Sequence, residues 1–79
     1  MSKTMTKVTN RLVVNEYSAN EVVKIIREWT ELNQKDFGKR IYRSRDSINN
    51  IENRRNRMFL DDFIKMCNRH NITITVEKK

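Results

Sequence analysis

Hydrophobic residues recur at helical spacing in the segment that follows Ser18. They are Val22, Val23, Ile25, Ile26 and Trp29. Ser18 and Glu21 have the spacing of a capping box, in which each residue's side chain accepts a hydrogen bond from the other's backbone amide. The pattern predicts a first helix that begins after Ser18. Its apolar residues cover more than one stripe, so we expect Ile25 and Trp29 to pack against terminal strands or a second subunit.

Two short helices joined by a tight turn are predicted next. Asn33 and Ser44 are favourable N-cap residues, so the second helix should begin after Asn33 and the third, residues 45–54, after Ser44. The second helix should end near Tyr42. The apolar residues expected to face inward from these two helices are Phe37, Ile41, Ile48 and Ile51.

A fourth helix and a terminal strand are predicted for the rest of the chain. Helical spacing indicates a helix from Leu60 to Arg69, and alternating isoleucine and threonine predict a strand over residues 72–78. Residues 8–14 predict a short edge strand or an extended arm, and residues 1–7 a disordered tail. The terminal strand needs a pairing partner, either residues 8–14 or the same strand of a second copy. The residues expected to pack in such a dimer are Ile25, Trp29, Ile72, Ile74 and Val76.

The length and the composition predict one small domain over residues 1–79. A chain of 79 residues with no proline and one glycine offers no internal boundary, and its small core favours association. The single cysteine, Cys67, cannot form a disulfide within the chain, which fits a reducing compartment. No apolar stretch approaches the roughly 20 residues of a membrane span. We therefore expect a cytoplasmic protein with no membrane partner.

Positive charge is concentrated in one part of the chain. The net charge is +7, and residues 35–57 contain eight bases and three acids, so they contribute +5 of it. Such a charge attracts a polyanion, of which nucleic acid is the first candidate. The alternative is a solvated basic face that keeps the protein soluble.

The stretch from Gln34 to Asn53 has the pattern of a helix-turn-helix. Its motif residues are Gln34, Gly38, Ser44, Ile48, Ile51, Glu52 and Asn53, with Arg27 seven residues before Gln34. In this order and spacing the chain resembles, without a gap, the Cro/C1-type (Xre) helix-turn-helix family of phage repressors. The resemblance covers roughly residues 18–72. It implies a mainly α, four-helix domain and a structural ion pair between Arg27 and Glu52.

The resemblance also implies which residues contact duplex DNA. Helix 45–54 would enter the major groove. The implied base contacts are Arg45, Asp46, Ser47, Asn49 and Asn50. The implied phosphate contacts are Gln34, Lys35, Arg43, Asn53, Arg54, Arg55 and Arg57.

The sequence departs from the family pattern in two places. Tyr42 stands where glycine is usual in the turn, and Arg43 follows where an apolar residue is usual. A bulky residue at positive φ is costly, so we expect this turn to differ in detail from that of the family. The terminal strand is similar to that of HipB-type antitoxins, whose C-terminal strands pair between subunits.

These patterns predict a homodimeric transcriptional regulator, in particular a repressor, at a pseudo-palindromic DNA site with half-sites about 10 base pairs apart. The alternative is an antitoxin or another mobile-element inhibitor that binds a protein target and regulates its own promoter. Nonspecific RNA or single-strand binding has little support, because few aromatic residues lie in the basic window. Cys67 and His70 alone do not make a zinc site or a catalytic group, so we expect no enzyme, cofactor or metal.

Overall fold

The computed structural model describes residues 11–79 of the chain, and this part contains four α-helices. Their bounds are Ala19–Thr30 (α1), Gln34–Arg40 (α2), Arg45–Glu52 (α3) and Leu60–Arg69 (α4), preceded by a short 3-10 turn at Val14–Glu16. The predicted mainly helical fold with four helices is confirmed. None of the helices in residues 11–79 is long and apolar enough to cross a membrane.

The first three helices begin at the predicted N-cap residues. The Glu21 amide donates to Ser18 Oγ over 3.3 Å, and the Ser18 amide donates to Glu21 Oε1 over 2.9 Å, which completes the capping box. The Asn33 and Ser44 side chains accept from the amides three residues further on, at 2.8 and 3.0 Å. Phe59 precedes α4 and makes no side-chain cap. Short polar side chains therefore set the starts of α1, α2 and α3.

Each helix is followed by a non-glycine residue in the left-handed region. These residues are Glu31, Tyr42, Arg54 and Asn71, with φ between 59° and 64°. Such a conformation costs roughly 1 to 2 kcal/mol for a residue with a Cβ atom. It also ends the helices earlier than the spacing predicts. The second helix stops at Arg40 rather than near Tyr42, and the third covers 45–52 rather than 45–54, because the backbone reverses at Tyr42 and at Arg54.

The core lies where the four helices meet, and every helix contributes to it. Its buried side chains are Val22, Val23, Ile26, Phe37, Ile48, Ile51, Met66 and Cys67. A ring of partly buried apolar residues surrounds them, namely Leu12, Trp29, Leu32, Ile41, Met58, Phe63 and Ile72. The fully buried residues of the described part are therefore apolar, and two of them, Ile48 and Ile51, hold α3 against the core.

The predicted strands are not present in the described single chain. Residues 72–79 have no regular secondary structure, because a β-ladder needs a second strand and residues 11–79 supply none. Part of the 8–14 segment instead begins the 3-10 turn at Val14–Glu16, while residues 8–10 and the predicted 1–7 tail lie outside the described residues. The strand pairing and the dimer remain predictions.

Candidate nucleic-acid interface

The α2–α3 turn is tight because Gly38 lies against the backbone of Arg43. The Arg43 amide donates to the Gly38 carbonyl oxygen over 2.8 Å. A Cβ atom at position 38 would lie 2.5 Å from the Arg43 carbonyl oxygen, so an unchanged backbone leaves no room for a side chain there. Tyr42 takes the left-handed conformation that reverses the chain between the two helices. The two helices are therefore held at a fixed angle.

The outer face of α3 presents polar side chains, two in its first turn and one in its second. Arg45 and Asp46 are exposed, and their closest charged atoms lie 3.6 Å apart. Asn50 is half-buried, and its side chain makes no hydrogen bond within residues 11–79. Ile48 and Ile51 are fully buried beneath this face. A rigid helix thus carries three side chains that are available to a ligand.

Ser47 and Arg43 are engaged within the protein. Arg43 Nη1 donates to Ser47 Oγ over 2.9 Å, and Arg43 Nη2 lies 2.9 Å from Asp62 Oδ2 on α4. The guanidinium therefore links the turn to α4, and the Asp62 carboxylate offsets its charge. Sequence reasoning missed this ion pair, because nothing in the spacing of the two residues shows that α4 faces the turn.

Arg27 and Glu52 form a bidentate ion pair between α1 and α3. Arg27 Nε donates to Glu52 Oε2 over 2.6 Å, and Arg27 Nη2 donates to Oε1 over 3.0 Å. The Glu52 side chain is 3% exposed and that of Arg27 16%. The hydrogen bonds from Arg27 to Glu52 raise the pKa of the Arg27 guanidinium. Its remaining Nη1 donates to the Leu32 carbonyl, which fixes the loop before α2.

Three side-chain amides continue from this ion pair along the surface. Gln34 Nε2 donates to Glu52 Oε1 over 3.1 Å, and Asn49 Nδ2 donates to Gln34 Oε1 over 3.2 Å. Asn53 Nδ2 donates to Asn49 Oδ1 over 3.1 Å and to the Asn49 carbonyl oxygen over 3.0 Å. The structure therefore joins predicted base-contacting and phosphate-contacting residues in one network.

The basic residues that follow α3 are exposed beside its C-terminal end. Arg54 Nη2 lies 3.4 Å from Ser18 Oγ and 3.9 Å from Glu21 Oε1, at the start of α1. Arg55, Arg57 and the predicted contact Lys35 on α2 are exposed and form no ion pair within the described residues. Their charges are therefore available to a polyanion.

Asn20 anchors the loop that carries these arginines. Its Nδ2 atom donates to the Ile51 carbonyl oxygen over 2.6 Å and to the Asn56 carbonyl oxygen over 3.3 Å. The Arg55 and Asn56 amides both donate back to the Asn50 carbonyl oxygen. Sequence reasoning did not single out Asn20. The available signal was a polar residue within the first turn of an amphipathic helix.

No family model, curated protein or solved structure matches this chain.

The residues predicted to pack in a dimer fall into two groups. Ile25, Trp29 and Ile72 are half-buried, and the last two pack against the core of the same chain. Ile74 and Val76 are exposed. The structure therefore leaves only part of the predicted dimer surface uncovered in the single chain.

Cys67 is buried, and His70 is half-buried at the C-terminal end of α4. Burial raises the pKa of the Cys67 thiol to about 11, so the thiol stays protonated and unreactive at neutral pH. The His70 ring stacks on Phe37 with a centroid distance of 4.6 Å. Burial, with a smaller contribution from Arg40, lowers the pKa of His70. Within residues 11–79, no group of three potential ligands could hold a metal ion.

Proposed function

We propose that the protein is a sequence-specific duplex-DNA-binding transcriptional repressor that acts as a homodimer and catalyses no reaction. The observation that carries this proposal is the outer face of α3, where the side chains of Arg45, Asp46 and Asn50 make no hydrogen bond or ion pair with another helix of the described chain, on a helix anchored by buried isoleucines. The resemblance of the sequence to Cro/C1-type helix-turn-helix proteins also implies duplex-DNA binding through this helix. A helix presented in this way fits the major groove.

These three side chains differ in the bases that they would read. Arg45 can bridge O6 and N7 of guanine, Asn50 can bridge N6 and N7 of adenine, and Asp46 can accept from N4 of cytosine. Ser47 is a weaker candidate for base contact, because its hydroxyl already accepts a hydrogen bond from Arg43. Sequence preference would therefore come mainly from Arg45 and Asn50.

Affinity without sequence preference would come from the charges around α3. Lys35, Arg55 and Arg57 are exposed and have no acidic partner in the described part of the chain, so each can neutralise a phosphate. Arg54 lies close to Glu21, so this carboxylate would offset part of the attraction between Arg54 and a phosphate. Arg43 would reach a phosphate only by leaving Asp62.

Dimer formation is proposed through residues 72–78. Within residues 11–79 this segment has no regular secondary structure and no strand partner, and it exposes Ile74 and Val76. Pairing with the same segment of a second copy would satisfy its backbone and cover these side chains. The Ile74→Lys/Val76→Lys variant should then sediment as a monomer at concentrations where the parent protein is a dimer. A parent protein that stays monomeric would contradict the dimer.

Selection of binding sites from a randomised duplex pool tests the proposal as a whole. We expect a preferred pseudo-palindromic site, bound with strong salt dependence. Arg45→Ala and Asn50→Ala should each cost about 1 to 3 kcal/mol at that site and relax the preference at one base pair. Arg55→Ala should weaken binding to all sequences alike and lower the salt slope by about one. Equal losses on selected and random DNA for all three variants would contradict these roles.

The second candidate function is inhibition of a protein target, as in an antitoxin. Phe59 and Leu60 favour it, because they are 77% and 70% exposed at the start of α4, where a protein partner could cover them. Co-expression with the products of neighbouring reading frames should then give a stoichiometric complex that Leu60→Asp abolishes. A complex that survives this substitution would contradict a role for this surface.

A further inference from the structure

The amide network next to Glu52 has a fixed direction. A carboxylate accepts hydrogen bonds and cannot donate them, so Gln34 must turn its NH2 group towards Glu52. The Gln34 carbonyl oxygen then faces Asn49, and it accepts a hydrogen bond from the Asn49 NH2 group. The Asn49 carbonyl oxygen in turn accepts from Asn53. The buried carboxylate therefore determines which atom each of the next two amides presents.

Adenine recognition by asparagine uses both ends of the side-chain amide. The carbonyl oxygen accepts from N6 of adenine while an N–H donates to N7. Asn49 already uses its carbonyl oxygen on Asn53 and one N–H on Gln34, so turning the amide to a base would compete with both bonds. Asn50 is its neighbour and has no side-chain hydrogen bond within residues 11–79.

We propose, on the basis of the proposed DNA-binding function, that Asn49 donates to a DNA phosphate and does not read a base, with Glu52 and Gln34 as the positioning residues that set its orientation. Gln34 and Asn49 each keep one N–H outside the network, so each has a donor left for an oxygen acceptor. Phosphate oxygens accept hydrogen bonds and carry no sequence information. Of the two adjacent asparagines of α3, Asn50 alone would then contact a base.

Site selection with two matched variants tests the proposal on DNA. Asn49→Ala should lower the affinity for all duplexes alike, by roughly three- to tenfold, and should select the same sequence as the parent protein. Asn50→Ala should lose the preference at one base pair. A base pair whose preference disappears in Asn49→Ala would overturn the proposal. Equal affinity of Asn49→Ala and the parent protein for all duplexes would overturn it as well.

The orientation of the amides can be tested without DNA. In nuclear magnetic resonance spectra of the full chain, one NH2 proton of Gln34 and one of Asn49 should show hydrogen-bonded shifts and slow exchange with solvent. In Gln34→Ala, the Asn49 proton should lose both properties, while the Asn50 side-chain protons, which make no bond to Gln34, should not change. Asn49 protons that exchange freely in the parent protein would overturn the positioning role.

The two kinds of failure are distinguishable. A protein that binds no duplex at any salt concentration overturns the proposed function and the phosphate contact together. A protein that selects a duplex site, but loses one base preference in Asn49→Ala, keeps its proposed function and overturns this inference alone.

Discussion

The α2–α3 unit is attached to α1 by Arg27 and Glu52, whereas Arg43 and Asp62 attach it to α4. The first ion pair is bidentate, and its carboxylate is 3% exposed. The second makes one contact of 2.9 Å, and its side chains are 27% and 36% exposed. Solvent screens the second pair, while the loss of one partner from the first leaves a charge buried. The two ion pairs have similar nitrogen–oxygen distances, but the loss of one partner should change the free energy of unfolding severalfold more in the first than in the second.

The largest effect is expected for Glu52→Ala. The substitution leaves the Arg27 guanidinium half-buried without its carboxylate and removes the acceptor of Gln34. A loss of about 3 to 5 kcal/mol is expected, which is a large part of the stability of a small domain. The protein should unfold or melt far below the parent. Circular dichroism on heating measures this, with the exposed Glu16→Ala as the control. A melting temperature equal to that of the control would contradict the importance of the pair.

Gly38→Ala should have the next largest effect on stability, because it acts on the turn between α2 and α3. The added Cβ would meet the Arg43 carbonyl oxygen at 2.5 Å, so the turn must shift. Overpacking of this kind costs about 1 to 3 kcal/mol, which exceeds the gain from the higher helix propensity of alanine. The midpoint of urea unfolding should fall, whereas Lys39→Ala on the exposed face should leave it nearly unchanged. A higher midpoint for Gly38→Ala would show that the turn relaxes without cost.

Asp62→Asn tests the weaker attachment directly. The free energy of unfolding should fall by less than about 1 kcal/mol, because the pair is partly exposed. The released Arg43 should then contribute to DNA binding, so that the salt slope increases by about one. Asp61→Asn is the matched control, since it makes the same change of charge on the preceding residue without touching Arg43. Equal slopes for the two variants would indicate that Arg43 never reaches a phosphate.

The sequence predicted those features that depend on residues close together in the chain. The caps at Ser18, Asn33 and Ser44 are such features, because each side chain bonds an amide three residues away. The contact between Arg43 and Asp62 joins residues 19 positions apart and depends on the angle of α4, which no spacing rule gives. Residues 72–79 form no strand in the described single chain for a different reason, and strand pairing across a dimer stays a prediction. The alternation of these residues is a local signal, but a strand exists only with a partner.

The end of α3 also depends on residues that are distant in the sequence, so the helical spacing did not predict it. Helical spacing extended this helix to residue 54, but Arg54 adopts a φ of 64°, and the amides of the next two residues bond the Asn50 carbonyl oxygen. Asn20 on α1 holds this loop through two carbonyl oxygens. The position of the basic residues therefore follows from a tertiary contact. Their identity and number were visible in the sequence.

The smallest effect is expected from the titration of His70, which supports the α4 side of the unit by stacking on Phe37. Burial, and to a lesser degree Arg40, lowers its pKa below the ordinary value of 6.5 in the folded protein. Below pH 6.5 the unfolded chain binds this proton more readily than the folded chain, so stability falls as the pH falls. The loss should stop once the pH is below the lowered pKa. Urea unfolding between pH 7.5 and pH 5.5 measures this dependence.

His70→Phe separates this titration from that of the carboxylates. Phenylalanine keeps a ring against Phe37 and removes Nε2, a buried atom with no hydrogen-bond partner within residues 11–79. The variant should be at least as stable as the parent at pH 7.5, because it no longer buries an unpaired polar atom. It should also lose the dependence on pH above 5.5. The same slope in the parent and the variant would mean that another group titrates, and that the α4 attachment is insensitive to protonation of His70.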